Sequence, residues 1–165
     1  MSSLLERLRK HKDDRGMMAN LRCILVESKK HRAWPALHRL GVAIENDIAA
    51  FVAGLFATHP EIANNGNFGS TCKSIARQRD NQQGEDSKLT PTERRFQHLL
   101  SAEPGDELKK RVLRMLLMAK SQGVAVNYEK LLQDMKRWQW DDRAKTEWAA
   151  SYWTPNAEPV EEEAV

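Results

Sequence analysis

TPTERRFQHLLSAEPGDELKKRVLRMLLMAKSQGVAVNYEKLLQDMKRWQWDDRAKTEWAASYW, residues 90–153, decides the fold class of this chain. It opens on a helix start. Thr90 can cap, Pro91 suits the first helical position, and Glu93 stands where a capping box needs an acid. Phe96, Leu99 and Leu100 then point one way, and Arg94 and His98 another. Pro104-Gly105-Asp106 breaks that helix and starts the next, which stops at Gly123. Its apolar set (Leu108, Val112, Leu113, Met115, Leu116, Leu117, Ala119) covers most of the circumference, so it reads as largely buried. Lys110, Arg111 and Arg114 share the remaining strip. Asn127 caps a further helix with Leu131, Leu132, Met135 and Trp138 inward. Asp141 or Asp142 caps the last, with Ala144, Trp148 and Tyr152 on one face.

The residues before this stretch repeat the helical pattern. Ser3 and Glu6 form a capping box ahead of a short basic helix. Met18, Leu21 and Leu25 give helical spacing for a second helix from about Asp14 to Lys29. Trp34, Leu37 and Leu40 mark a third, with Pro35 in its first turn and Gly41 at its end. Ile44, Ile48, Phe51, Val52, Leu55 and Phe56 mark a fourth, ended by His59-Pro60. After the polar turn EIANNG, Asn67 caps a fifth helix to about Arg79. No alternating strand pattern stands out, and Val124–Val126 is too short to argue for a sheet. The expectation is an all-α protein of about eight or nine helices in an N-terminal bundle (1–79) and a C-terminal bundle (90–154). A polar linker (80–89) joins them, and an acidic, disordered tail (155–165) follows.

Composition narrows the function. No apolar run is long enough to span a bilayer, and MSSLLERLRKHK lacks a signal-peptide pattern, so a cytoplasmic protein is expected. Cys23 and Cys72 stand alone, as small hydrophobes do in a reducing compartment. No two of the five histidines share an HxxxH spacing, so no metal site is expected. The chain has 26 Lys and Arg against 23 Asp and Glu; four of those acids lie in residues 158–165, which leaves 26 against 19, or +7, on residues 1–157. A moderately basic body suits a polyanion, although many proteins without one carry such a charge.

Chemistry-bearing motifs are scarce. There is no G-x-S-x-G, P-loop, GxGxxG or HExxH. Asp141-Asp142 could be offered as a metal pair for a small hydrolase, or as a helix cap beside a positive dipole end. The basic positions form candidates for phosphate contact: Lys73, Arg77 and Arg79 on one helix, Arg94 and Arg95 on another, and Lys110, Arg111 and Arg114 on a third. Each could equally be a solvated face or an internal pair, and Glu107 sits at ion-pair spacing from Arg111. Trp138, Trp148 and Tyr152 read as core, while Trp140 and Trp153 fall off those faces and are candidates for an interface.

Several elements, taken in order, resemble one family, the small subunit of the type I-E CRISPR surveillance complex (Cascade), the CasB family. They are Phe68-Gly69 through Ile75-Ala76, Glu93-Arg94-Arg95-Phe96 with Leu99-Leu100, Leu113-Arg114 with Leu116-Leu117 and Lys120, Asn127-Tyr128 with Leu131-Leu132, Asp134 and Trp138, and Trp148-Ala149 with Tyr152-Trp153. The N-terminal half matches through Leu21-Arg22 and Ala33-Trp34 with Leu37. Asn127-Tyr128 departs from the family's usual acidic-aromatic pair, though Asn still caps. The resemblance implies an all-helical, non-catalytic subunit without cofactor. Two copies would lie head to tail along the complex, contacting its backbone subunits and large subunit. The basic surface would hold the target strand and the displaced strand, stabilising the R-loop, with cleavage left to a separately recruited nuclease. It points to Arg95 and Arg114 as DNA contacts, then Arg22; Lys73, Arg77, Arg94, Lys110 and Arg111 are added from the residues themselves. A helical protein-binding scaffold without nucleic-acid contact is the alternative.

Overall fold

The computed structural model describes residues 3–80 and 89–154. The expected linker, apart from its ends at Asp80 and Leu89, and the whole of the expected acidic tail therefore lie outside the described residues. Among the described residues the chain forms α1 (Leu4–Lys10), α2 (Arg15–Arg22), α3 (Trp34–Leu40), α4 (Asp47–Thr58), α5 (Phe68–Asp80), α6 (Pro91–Leu100), α7 (Asp106–Gln122), α8 (Tyr128–Arg137) and α9 (Arg143–Trp153). The all-α expectation holds. The sole pairing of extended backbone among the described residues is one isolated bridge, Ile62 beside Val126.

Local chemistry sets most of the boundaries. Ser3 and Glu6 form the reciprocal capping box at α1. Asn127 Oδ1 accepts the Lys130 N–H at 3.1 Å, and Asn67 Oδ1 the Ser70 N–H at 3.1 Å. Gly41 and Gly123 end α3 and α7 in the left-handed region, at φ 75° and 69°.

Three expectations need correction. α2 ends at Arg22 rather than Lys29; two 3-10 turns, Cys23–Leu25 and Glu27–Ala33, follow, separated by extended Val26. The β-branched Ile24 and Val26 disfavour a continued helix. α4 starts at Asp47, where Asn46 Oδ1 accepts the Ala49 N–H, and Ile44 stays exposed ahead of it. On α7, Leu117 is 47% exposed, so the burial of that helix is narrower than its composition suggests. At α9 the capping position falls on Asp142, one of the two expected residues; its side chain makes no cap bond, and Asp141 Oδ1 accepts the Arg143 N–H instead.

One hydrophobic cluster runs through both halves of the chain. α4 is buried from Ala49 to Ala57 and packs on α2 and α8. α5 packs against α9, α6 and α7. The closest approach in that seam is at Gly69, where a Cβ would overlap the Trp148 backbone. Trp148 and Trp138 pack ring against ring at 4.8 Å, as core residues. The fully buried Asp134 carboxylate accepts from the Trp148 indole N–H at 2.7 Å and from Lys130 Nζ at 2.9 Å. Two donors of this kind satisfy the hydrogen-bonding capacity of a buried carboxylate that would otherwise be costly. That bond to Asp134, with a second to Glu147, raises the pKa of Lys130 above its ordinary value. Tyr128, buried in the same region, donates to the His59 carbonyl and is shifted upward by desolvation.

Candidate nucleic-acid interface

α6 and α7 bring the basic positions together. They run antiparallel across a short Pro-Gly turn. Arg95, near the start of α6, meets Met118 late in α7, with Nη1 3.6 Å from the sulfur. Arg111, early in α7, donates through Nη1 to the His98 carbonyl late in α6, at 2.6 Å. Met118 stands one turn beyond Arg114, so Arg95 lies over the strip that bears Arg114. Lys110 stands one turn before Arg114. The side chains of Arg94, Arg95, Lys110 and Arg114 are exposed, and none of the four has a carboxylate partner among the described residues. Arg95 and Arg114 thus share one side of the α6–α7 pair, while Lys110 borders a groove that Asp47 and Asp106 also line.

The other expected contacts are engaged by the fold. Arg111 is folded down between the two helices, paired with Glu107 and donating to Ser101 Oγ as well as to the His98 carbonyl. Glu107 in turn accepts the Glu103 N–H, and that bond, followed by the nearby Arg111 charge, holds its carboxyl below the ordinary carboxylate value. Arg22 donates to the Ala57 carbonyl at 3.0 Å, at the C-terminal end of α4, and projects from a helix that packs chiefly on α4 rather than on α6 or α7. Lys73 Nζ donates to the Thr154 carbonyl at 2.8 Å, which seals the end of α9. Arg77 lies one turn beyond Lys73, exposed.

Two features escaped the sequence. Thr90 caps α6 as expected, yet the Glu93 carboxylate does not close the box; it accepts the Trp153 indole N–H at 2.8 Å. The second is a groove of about 800 Å³ between the Trp34 region and α7, with Trp34, Ile44, Phe51 and Leu113 among its walls. Exposed Trp34 and Ile44 could have flagged it, had their faces been separable from the core stripe. Elsewhere, Cys72 is fully buried and desolvation pushes its thiol well above the ordinary value. Among the described residues no group of three or more His, Cys, Asp or Glu is placed to hold a metal ion, and no helix is long and apolar enough to cross a membrane.

Comparison with known proteins places the chain in a family and matches its fold. Residues 17–153 match the family model of the CRISPR-associated protein Cse2. The fold is similar to that of a CRISPR-associated protein of the Cse2 family from Thermus thermophilus, with a TM-score of 0.72 at 18% identity over 91% of this chain and 95% of that one. It is equally similar to a structure of CasB from Thermus thermophilus, with a TM-score of 0.70 at 18% identity and the same coverage. Among curated proteins none matches the sequence.

Proposed function

The chain belongs to the Cse2 family of CRISPR-associated proteins, and from that premise we propose that it is the non-catalytic small subunit of a type I-E, RNA-guided surveillance complex. In this reading it works in the cytoplasm. It stabilises the R-loop by sequence-independent phosphate contacts to the target and displaced strands. The observation that carries the reading is the set of Arg94, Arg95, Lys110 and Arg114 on α6 and α7, all exposed and none with a carboxylate partner among the described residues. Such contacts add affinity without reading bases. R-loop formation exchanges one duplex for another at nearly equal stability, so a few phosphate contacts suffice to tip it. Of the expected contacts, Arg95 and Arg114 are the principal ones, with Arg94 and Lys110 beside them. Arg22, Lys73, Arg77 and Arg111 serve as secondary contacts, since three of them are already bonded to backbone carbonyls.

The test is the lifetime of the R-loop on target duplex in the assembled complex. Arg95→Ala with Arg114→Ala should shorten it several-fold while the subunit still incorporates. An unchanged lifetime would remove these two residues from the site.

The groove beside Trp34 and Leu113 favours a protein partner in addition, and suits docking onto the other subunits or a second copy. The alternative, a scaffold without nucleic-acid contact, would show through lost incorporation on Trp34→Ala and no effect of the arginine pair.

A further inference from the structure

The C-terminal end of α9 carries a feature that phosphate contacts do not absorb. Trp153 is 41% exposed, yet its ring is held from three sides. Its indole N–H donates to Glu93 Oε2 at 2.8 Å. Phe96 meets it at 5.3 Å between centroids and 59° between planes, and Tyr152 at 5.0 Å and 64°. Phe96 and Tyr152 stack on each other at 4.3 Å and 12°, so they meet Trp153 obliquely and neither lies flat on it. The indole is therefore fixed in orientation with face area left open. Trp140, at 74% exposure, makes no such contacts and is a poorer platform.

Beside the Glu93 carboxylate that holds the ring, two basic residues stand on neighbouring elements. Arg94 follows Glu93 in α6, exposed and without a partner among the described residues. Lys73 reaches the carbonyl of Thr154, the residue after Trp153, and keeps donors to spare. A fixed, partly exposed aromatic ring with basic residues on the neighbouring elements is an arrangement that binds unpaired bases in single strands. Duplex DNA offers no such base face, because its bases are stacked on one another.

We propose that Trp153 is a stacking platform for one unpaired base of a single-stranded nucleic acid whose adjoining phosphate is held by Arg94. The inference deepens the R-loop reading and rests on it, since an R-loop is where an unpaired strand meets this protein. Glu93 acts as a positioning residue through its bond to the indole.

The experiment uses the full chain and two ligands of equal length and charge, an oligo-dT and the same backbone with abasic sites, followed by fluorescence anisotropy at low salt. Stacking predicts that the abasic strand binds at least about fivefold more weakly. That ratio should collapse towards one in Trp153→Leu and survive largely in Trp153→Phe. The comparison of ligands on the unaltered protein needs no variant to fold. Equal binding of the two strands, or a ratio unchanged in Trp153→Leu, overturns the platform and leaves the phosphate grip standing. Failure of both strands to bind overturns the grip and the platform with it.

Discussion

Along the α5–α9 seam, charged and polar groups face inward and are bonded. Asp134 holds Trp148 and Lys130, Asn67 Nδ2 donates to Ser151 Oγ at 3.0 Å, and Lys73 closes the end of α9. Along the outer strip of α6 and α7, charged groups of the same kinds face water, and Arg94, Lys110 and Arg114 bond to nothing among the described residues. The first region is costly to alter where a group is both desolvated and partnered, as Asp134 is. The second contributes little to folding, as exposed charges do. The difference separates arginines that hold the fold from arginines that remain available for a polyanion. Arg111 belongs to the first class and Arg114 to the second, although they are three residues apart on one helix.

That division can be broken by substitution, from the seam outward. Gly69→Ala should be the most damaging change, because its Cβ meets backbone that cannot move aside. A loss of about 3 kcal/mol is expected in chemical denaturation; full stability would mean that α5 and α9 are not packed this closely. Asp134→Ala should cost about 2–3 kcal/mol by the same measurement, since it leaves the buried Trp148 N–H without an acceptor and Lys130 with Glu147 alone. Arg111→Ala should cost about 1 kcal/mol and lower nucleic-acid affinity less than Arg95→Ala or Arg114→Ala does. A large loss of affinity without a loss of stability would move Arg111 into the outer class. Arg95→Ala with Arg114→Ala should leave the unfolding free energy within about 0.5 kcal/mol of the parent.

The smallest expected effect is alkaline. Lys130 has its pKa raised in the folded state by its bond to Asp134, so its contribution is complete below the ordinary value of 10.5 and disappears as pH climbs through the raised value. Thermal melts between neutral pH and about pH 12 should therefore fall less steeply for Lys130→Met than for the parent. Identical slopes would show that the bond does not couple to folding.

What was legible in the sequence was mostly local. Caps at Ser3, Asn67, Thr90 and Asn127 act over three residues, so the text of the chain contains both partners. The helix stops at Gly41 and Gly123 are equally local, because each needs only a residue that tolerates positive φ. Contacts between elements were not legible in this way. Glu93 has the right spacing for a capping box, but its carboxylate is taken by an indole 60 residues away. Lys110, Arg111 and Arg114 look alike as a strip, and only the antiparallel pairing of α6 with α7 turns Arg111 inward toward the His98 carbonyl. The end of α2 at Arg22 was missed because the apolar spacing continues through Leu25 while the backbone has already tightened into 3-10 turns. Family membership was recoverable from ordered short elements in the C-terminal half, where capping residues and buried aromatics coincide.

The most direct test of the division is the salt dependence of single-stranded DNA binding by the full chain, compared between the parent and Arg95→Ala/Arg114→Ala. If each arginine holds one phosphate, the slope of log affinity against log salt should become shallower by about 1.4, at about 0.7 per contact. A slope that does not change, in a variant that folds as the parent does, would contradict the assignment of these two residues to the nucleic-acid surface.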